Sequence, residues 1–281
     1  YIYSCRQMGI KILPPDINKG EGSFSVDGGN IRYGLAAIKS IGKPVIESII
    51  QERKNGGEFS NLKDFIERLS GKEVNKRTIE SFIKSGAFDS LGGTRKQFMV
   101  VYVQILDQVN RERKYSMTGQ LSLFDIVSDD RKSEFDIPLP DVGEYEKETK
   151  LAFEKEVLGV YLSGHPLEDY EEKWKKNISR TTLDFQIDDE TGRTKVHDGA
   201  KEIVGGMITN KTIKYTRNNK TMAFLTIEDL MGTVEVVVFP RDYERNQNYL
   251  NEDSKVFVKG RVSEEDDAPS KLICETIIPF E

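Results

Sequence analysis

Three groups of residues have types and spacings that could do chemistry, and in each the chemistry is binding. Ile38-Lys39-Ser40-Ile41-Gly42-Lys43 joins two apolar helical patterns through a tight glycine-containing turn. A turn of this kind leaves backbone N–H groups free at the start of the next helix. There, with the positive end of the helix dipole, they can hold a phosphate. Lys39 and Lys43 add charge without reading sequence. Lys84-Ser85-Gly86-Ala87 has the form of a degenerate second copy, and a pair of such turns straddles a duplex backbone. The plainer alternative is two packing corners between helices. The second group is basic: Lys211, Lys214, Arg217 and Lys220 fall between Thr209 and Thr221 with no acid among them and with Tyr215 interleaved. That is the composition of a single-strand groove, where bases stack and phosphates are neutralised. Phe224, Phe239, Lys259 and Arg261 are candidates for the same face. The alternative is a solvated hairpin loop with the phenylalanines in a core. The third group, Gln120-Leu121-Ser122-Leu123-Phe124, puts two large apolar side chains beside a run rich in Asp, Glu, Ser and Pro that extends to Glu144 and cannot bury a core of its own. Such a peptide docks by seating apolar anchors in a partner's pocket. Otherwise Leu123 and Phe124 cap the preceding helix.

No constellation for catalysis stands out. His165 and His197 are the only histidines, and neither has a Cys or a second His at ligand spacing. His165, in Ser-Gly-His-Pro, reads as a turn residue. Asp188-Asp189-Glu190 and Glu264-Glu265-Asp266-Asp267 are acid runs in loops, whereas a two-metal site needs carboxylates projected from rigid elements. There is no Gly-Lys-Ser/Thr phosphate loop and no dinucleotide fingerprint.

The elements that must position these groups follow from periodicity. Residues 1–30 read as a short helix ending at Gly9, an extended run through Pro14-Pro15, and a small hairpin around Phe24 and Val26. From 31 to 115 the pattern is helical. Leu35, Ile38 and Ile41, then Val45, Ile46, Ile49 and Ile50, mark two short helices. Further apolar faces follow at Leu62–Leu69, at Ile79–Ile83 and, on a longer helix, at Phe98–Val109. Residues 116–144 are a linker and 145–198 a helical connector. After about 200 the period becomes two. Strands at 203–209, 221–228, 233–240, 256–262 and 272–278, with a helical turn at 242–250 after the third, have the order of an OB-type barrel over 199–281. An SH3-like barrel is the rival that the connecting helix disfavours.

At 281 residues, 37% hydrophobic and 31% charged, the chain has an ordinary core plus solvated linker. No apolar run approaches the ~18–20 residues needed to span a bilayer. The net charge of −6 argues against a globally basic nucleic-acid binder and assigns any contact with DNA to local patches. Cys5 and Cys274 have no pairing logic, so a reducing, cytoplasmic setting is expected. The start at Tyr1 reads as the interior of a longer protein.

The 38–43 turn resembles a helix–hairpin–helix element, with Ser40 where the first of two glycines is usual. The pentapeptide resembles the clamp-binding motif of bacterial DNA polymerases. Over essentially the whole chain, Cys5–Ile10, Leu13–Asn18, Ile31–Lys39, Ile83–Asp89 and, most closely, Lys155–Leu167 resemble the alpha subunit family of bacterial DNA polymerase III. The resemblance implies a multidomain α+β chain: a small all-α helix–hairpin–helix bundle followed by a five-stranded OB-fold barrel. In those terms 1–30 is the end of the fingers, 31–115 the tandem helix–hairpin–helix domain, 116–144 the clamp-binding linker and 199–281 the OB domain.

It also implies the residue roles. Gln120, Leu121, Leu123 and Phe124 would bind the sliding clamp. Lys39, Ser40, Ile41, Gly42, Lys43, Lys84, Ser85 and Gly86 would hold duplex phosphates, and the basic and aromatic barrel residues single-stranded DNA. Other replisome subunits are further partners. The intact parent would be a DNA-directed DNA polymerase, with magnesium in an absent palm domain. This portion would have no catalytic residue and no cofactor of its own. The alternatives are an error-prone paralogue of that polymerase, or a non-enzymatic single-strand-binding OB module on a helical adaptor.

Overall fold

The computed structural model describes residues 2–69, 71, 74–117, 137–188, 191–265 and 268–280. The chain divides into two compact units, Ile2–Gly164 and His165–Glu281.

In the first unit, α1 (Ile2–Gln7) leads into a small three-stranded sheet of β1 (Ile12–Leu13), β2 (Ser25–Asp27) and β3 (Asn30–Arg32). Asp27 pairs with Asn30 across Gly28 and Gly29, whose φ values of 57° and 81° are those a two-residue hairpin turn requires. Four amphipathic helices follow: α2 (Lys43–Gly56), α3 (Leu62–Leu69), α4 (Lys76–Ser85) and α5 (Arg95–Met117). Their apolar stripes meet in one core. Phe65 packs edge-on against Phe59, Phe82 and Phe88 at centroid separations of 5.1, 5.9 and 4.9 Å. Each buried phenylalanine contributes roughly 1.5–3 kcal/mol of transfer free energy. Asn75 caps α4, its side chain accepting from the Thr78 N–H at 3.1 Å.

Helix α6 (Lys147–Leu158) completes the unit, so the segment read as a connector over 145–198 is not an element of its own. Its first part joins the helical core through Val157 and Leu158; the rest packs on the barrel. A buried ion pair explains the division. Glu154 on α6 accepts from Arg95 Nη1 at 3.2 Å and from the N–H groups of Leu162 and Ser163, both at 2.9 Å. Residues up to the Ser163 turn are thereby tied to α5.

The expected helix through Leu35, Ile38 and Ile41 is only a 3-10 turn, Leu35–Ala37. The N–H groups of Leu35 and Ala36 donate to the Glu21 and Gly22 carbonyls, and Ile38 is already extended, with ψ 121°. Those cross-chain bonds compete with the helical ladder and win.

The second unit is a closed barrel with strand order β4-β5-β6-β8-β7, formed by β4 (Lys201–Tyr215), β5 (Thr221–Glu228), β6 (Thr233–Val238), β7 (Lys255–Glu265) and β8 (Ala268–Pro279). Helix α8 (Pro240–Asn246) lies between β6 and β7 in sequence, the expected OB order. Val204, Ile208, Ala223, Leu225, Ile227, Val236, Val258 and Leu272 fill the interior. Helix α7 (Glu171–Asn177) clamps the wall, Trp174 Nε1 donating to the Gly205 carbonyl at 2.8 Å. His165 caps a turn: its Nδ1 accepts from the Leu167 N–H at 3.1 Å. Asp229 closes the β5–β6 hairpin. Its carboxylate accepts from Thr182 N–H and Oγ1 at 2.8 and 2.6 Å and from the N–H groups of Met231 and Gly232 at 2.7 and 3.0 Å.

Candidate nucleic-acid interface

The first hairpin turn is exposed, with Lys39, Ser40, Gly42 and Lys43 all open to solvent. Ser40 sits at φ 68°, the left-handed region, which costs a non-glycine residue about 1–2 kcal/mol. The turn hands over to α2 at Gly42, with Pro44 in its first turn. Proline has no N–H and fixes a helical φ, so the helix starts cleanly there. Among the described residues, the N–H groups of Gly42 and Lys43 donate to no acceptor. The turn is held from behind by the Lys39 N–H, which donates to the Val157 carbonyl at 2.8 Å. Lys43 lies 3.8 Å from Glu47, but both side chains are largely exposed, so the pair is weak and the ammonium remains open to solvent. Arg77, on the first turn of α4, donates from Nη2 to Ser40 Oγ at 3.0 Å. The sequence carries no local sign of that contact, because it spans 37 positions.

The second turn is a different object. Gly86, at φ 82°, ends α4 in a Schellman motif: its N–H donates to Ile83 at 3.1 Å and the Ala87 N–H to Phe82 at 3.0 Å. The amides that would face a phosphate are therefore satisfied by the helix's own carbonyls. Ser85 is fully buried and its hydroxyl donates to the Phe82 carbonyl. Lys84 pairs with Glu80 and Glu156 at 2.8 and 2.9 Å. Burial works to lower the Lys84 pKa, and the hydrogen bonds and charges of Glu156 and Glu80 more than offset it, leaving it raised. Lys84, Ser85 and Gly86, expected as phosphate contacts, are thus structural. Beyond them, the start of α5 holds a carboxylate of the chain itself. Glu144 accepts from the Arg95 and Lys96 N–H groups at 3.3 and 3.2 Å.

In the barrel, the expected basic loop is a two-stranded ribbon. β4 and β5 stay paired out to Tyr215↔Thr221, and the turn proper is closed by the Thr216 N–H donating to the Lys220 carbonyl at 2.9 Å. Strand alternation then sorts the candidates onto two faces. Lys211, Ile213 and Tyr215 continue the row of the core residues Leu225 and Ala223, while Thr212 and Lys214 face Phe224 and Met222. Tyr215 is 68% exposed. Phe224 is half-buried, and the Lys214 ammonium sits 4.6 Å from its ring centroid, covering the face a base would use. Lys211 instead lies 5.7 Å from the Tyr243 ring on α8. Phe239 is 45% exposed at the start of that helix, and Arg217 and Lys220 lie exposed at the ribbon tip. Arg261 follows Phe224, Val237 and Ile273 in one lateral row, three strands round the barrel, with Lys259 two positions further along the same strand face. The structure therefore does not set Lys259 and Arg261 beside the ribbon. Met222, on the face of Phe224, was not singled out from sequence, although it lies at the strand period from that residue.

Gln120, Leu121, Leu123 and Phe124 lie outside the described residues. Lys114 before that segment and Ile137 after it line the same cleft along α5. Among the described residues no cluster of three or more His, Cys, Asp or Glu could hold a metal ion, and no helix is long and apolar enough to cross a membrane.

A hairpin with free amides at a helix start and a closed five-stranded barrel in one chain define a protein of nucleic-acid-binding modules. The family description "helix-hairpin-helix motif" matches residues 9–98, and "OB-fold nucleic acid binding domain" matches residues 203–279. Over all 281 residues the chain is 35% identical to the DNA polymerase III subunit alpha of Borreliella burgdorferi, spanning 24% of that protein. It is 35% identical over 265 residues to the same subunit of Aquifex aeolicus, covering 94% of this chain and 20% of the relative. The chain is thus similar over its whole length to DNA polymerase III alpha subunits and spans about a quarter of the length of these curated relatives. A crystal structure of the single-stranded-DNA-binding domain of a Synechococcus protein aligns with 29% of this chain and 96% of that one, at 14% identity. Its TM-score of 0.26 adds nothing to the assignment.

Proposed function

We propose that this chain is the DNA-holding and clamp-tethering portion of a replicative DNA polymerase. The observation that carries the reading is the whole-length match to the polymerase subunits, within which one stretch matches a helix–hairpin–helix motif and another an OB fold. In this reading the first hairpin holds duplex phosphates with Lys39, Gly42 and Lys43, and the second turn serves as a packing corner. The ribbon of the barrel, with Tyr215, Arg217 and Lys220, holds single-stranded DNA. Template-directed synthesis, with its deoxynucleotides and magnesium, belongs to parts of the relatives that this chain does not span. The setting is cytoplasmic, among other replisome subunits.

Gln120, Leu121, Leu123 and Phe124 would tether the polymerase to its sliding clamp. Supporting this is the sequence itself, where the two apolar anchors Leu123 and Phe124 stand beside a run rich in Asp, Glu, Ser and Pro that has no core of its own. A tethered peptide can be weak and still effective, because linkage raises its local concentration beside DNA contacts.

The test is a calorimetric titration of the chain, and of a Leu123→Ala/Phe124→Ala form, against a bacterial sliding clamp. Binding by the parent with loss in the double variant supports the tether. Equal binding by both, or none by either, overturns it and leaves the DNA-binding modules as the functional claim.

A further inference from the structure

We infer that Arg77 is a third cation of the first hairpin's phosphate site, delivered from α4 and held in place by Ser40. The inference rests on the reading of that hairpin as a phosphate site and names a residue that the hairpin's own sequence does not contain.

Glycine suits the left-handed backbone of position 40 best, because it has no Cβ to clash. Ser40 occupies it at φ 68° and brings a hydroxyl. That hydroxyl accepts from Arg77 Nη2 at 3.0 Å, between two residues that are both solvent-exposed. A guanidinium has five N–H donors in a planar fork. The bond to Ser40 holds the guanidinium at the turn and uses one of its N–H donors, leaving enough of the fork to pair with two oxygens of a phosphate.

The rest of Arg77's surroundings agree. It has no ion-pair partner among the described residues. Its neighbour Lys76 is turned to Asp107 at 3.6 Å. Helix α4 is anchored by the Asn75 cap and by buried Thr78 and Ile79, so position 77 is fixed with respect to the turn. Of the basic residues on this part of α4, Arg77 alone points its charge at the hairpin, and Lys84 is committed to Glu80 and Glu156.

The experiment measures binding of a fluorescent duplex of random sequence to the 281-residue chain by polarisation over a range of salt. The variants are Arg77→Ala, Arg77→Lys, Ser40→Ala and Lys39→Ala/Lys43→Ala. Each phosphate neutralised on B-DNA contributes about 0.9 to the slope of log K against log salt. Arg77→Ala should bind several-fold more weakly with a slope lower by about one contact. Arg77→Lys should keep the slope and lose part of the affinity. Ser40→Ala should weaken binding with the slope unchanged, because it releases the fork without removing charge.

An Arg77→Ala slope equal to the parent's overturns the inference. If Lys39→Ala/Lys43→Ala lowers the slope in that case, the hairpin reading survives; if it does not, both fall. Parent-like affinity in Ser40→Ala overturns the role given to Ser40. Circular dichroism melts check folding, and exposed Arg77 should leave the melting midpoint unchanged.

Discussion

Arg95→Ala removes the guanidinium that joins α5 to α6, and the structure says which of its contacts matter. Nε and Nη2 bond Asp89 at 2.9–3.3 Å, but the Asp89 side chain is 44% exposed and rehydrates when the partner leaves. That part contributes under about 1 kcal/mol. Nη1 bonds Glu154, whose side chain is 0% exposed. Burial works to lower the Arg95 pKa, but Asp89 and Glu154 more than offset it, so the group stays charged. Without it, Glu154 keeps its two backbone donors and loses its only described cation in a site that water does not reach. Breaking a buried pair from one side costs roughly 3–5 kcal/mol, a large share of a typical domain's 5–15. At a urea dependence of about 2 kcal/mol per molar, the midpoint should fall by roughly 2 M. Adding Glu154→Gln should recover at least ~1 kcal/mol, because the amide oxygen still accepts from Leu162 and Ser163 without a stranded charge. Far-UV circular dichroism follows the helices. The single tryptophan, Trp174 against β4, reports on the barrel and serves as the internal reference. A loss below about 0.5 kcal/mol, or a double variant no more stable than Arg95→Ala alone, would refute the reasoning.

Two further outcomes are expected. Burial raises the Asp229 pKa and its four hydrogen bonds only partly counter it, so the folded state binds this proton more tightly than the unfolded chain. Its contribution is then full below the unfolded value and is lost as pH rises through the folded one. The stability difference between parent and Asp229→Asn, from urea melts read by Trp174 fluorescence, should accordingly fall with pH in the window just above ordinary carboxylate values. A difference that grows with pH would mean the hydrogen bonds outweigh burial. On the ribbon, Tyr215→Ala should weaken binding of a thymidine oligonucleotide by about 1–3 kcal/mol, while Phe224→Ala, whose ring already lies under Lys214, should cost much less. Equal losses in polarisation titrations would refute the assignment of faces.

Local pattern determined a good deal of this protein. The stripes of Phe65, Ile79, Phe82 and Phe98 could serve nothing but a helical core, because a period of 3.6 puts them on one side of each helix. The alternation in Thr233–Val238 likewise required a strand with one face inside a barrel, and the Gly28-Gly29 pair required a turn. The Ser40–Lys43 turn was legible for the same reason: glycine and proline act on the backbone where they stand.

What the sequence left open were relations between residues far apart along the chain. Lys84-Ser85-Gly86 has the letters of a phosphate turn, but Glu156, 72 positions away, takes the lysine, and the helix's own carbonyls take the amides. Arg77 joins the first hairpin only because α4 packs where it does. The basic run from Lys211 to Lys220 looks continuous in sequence, yet strand pairing splits it between two faces and leaves Tyr215 exposed with Phe224 covered. Periodicity says which way a side chain points relative to its own element. Which carboxylate, carbonyl or cation it meets there depends on packing, and so only the tertiary structure decided which of these side chains are committed to partners within the chain and which stay exposed.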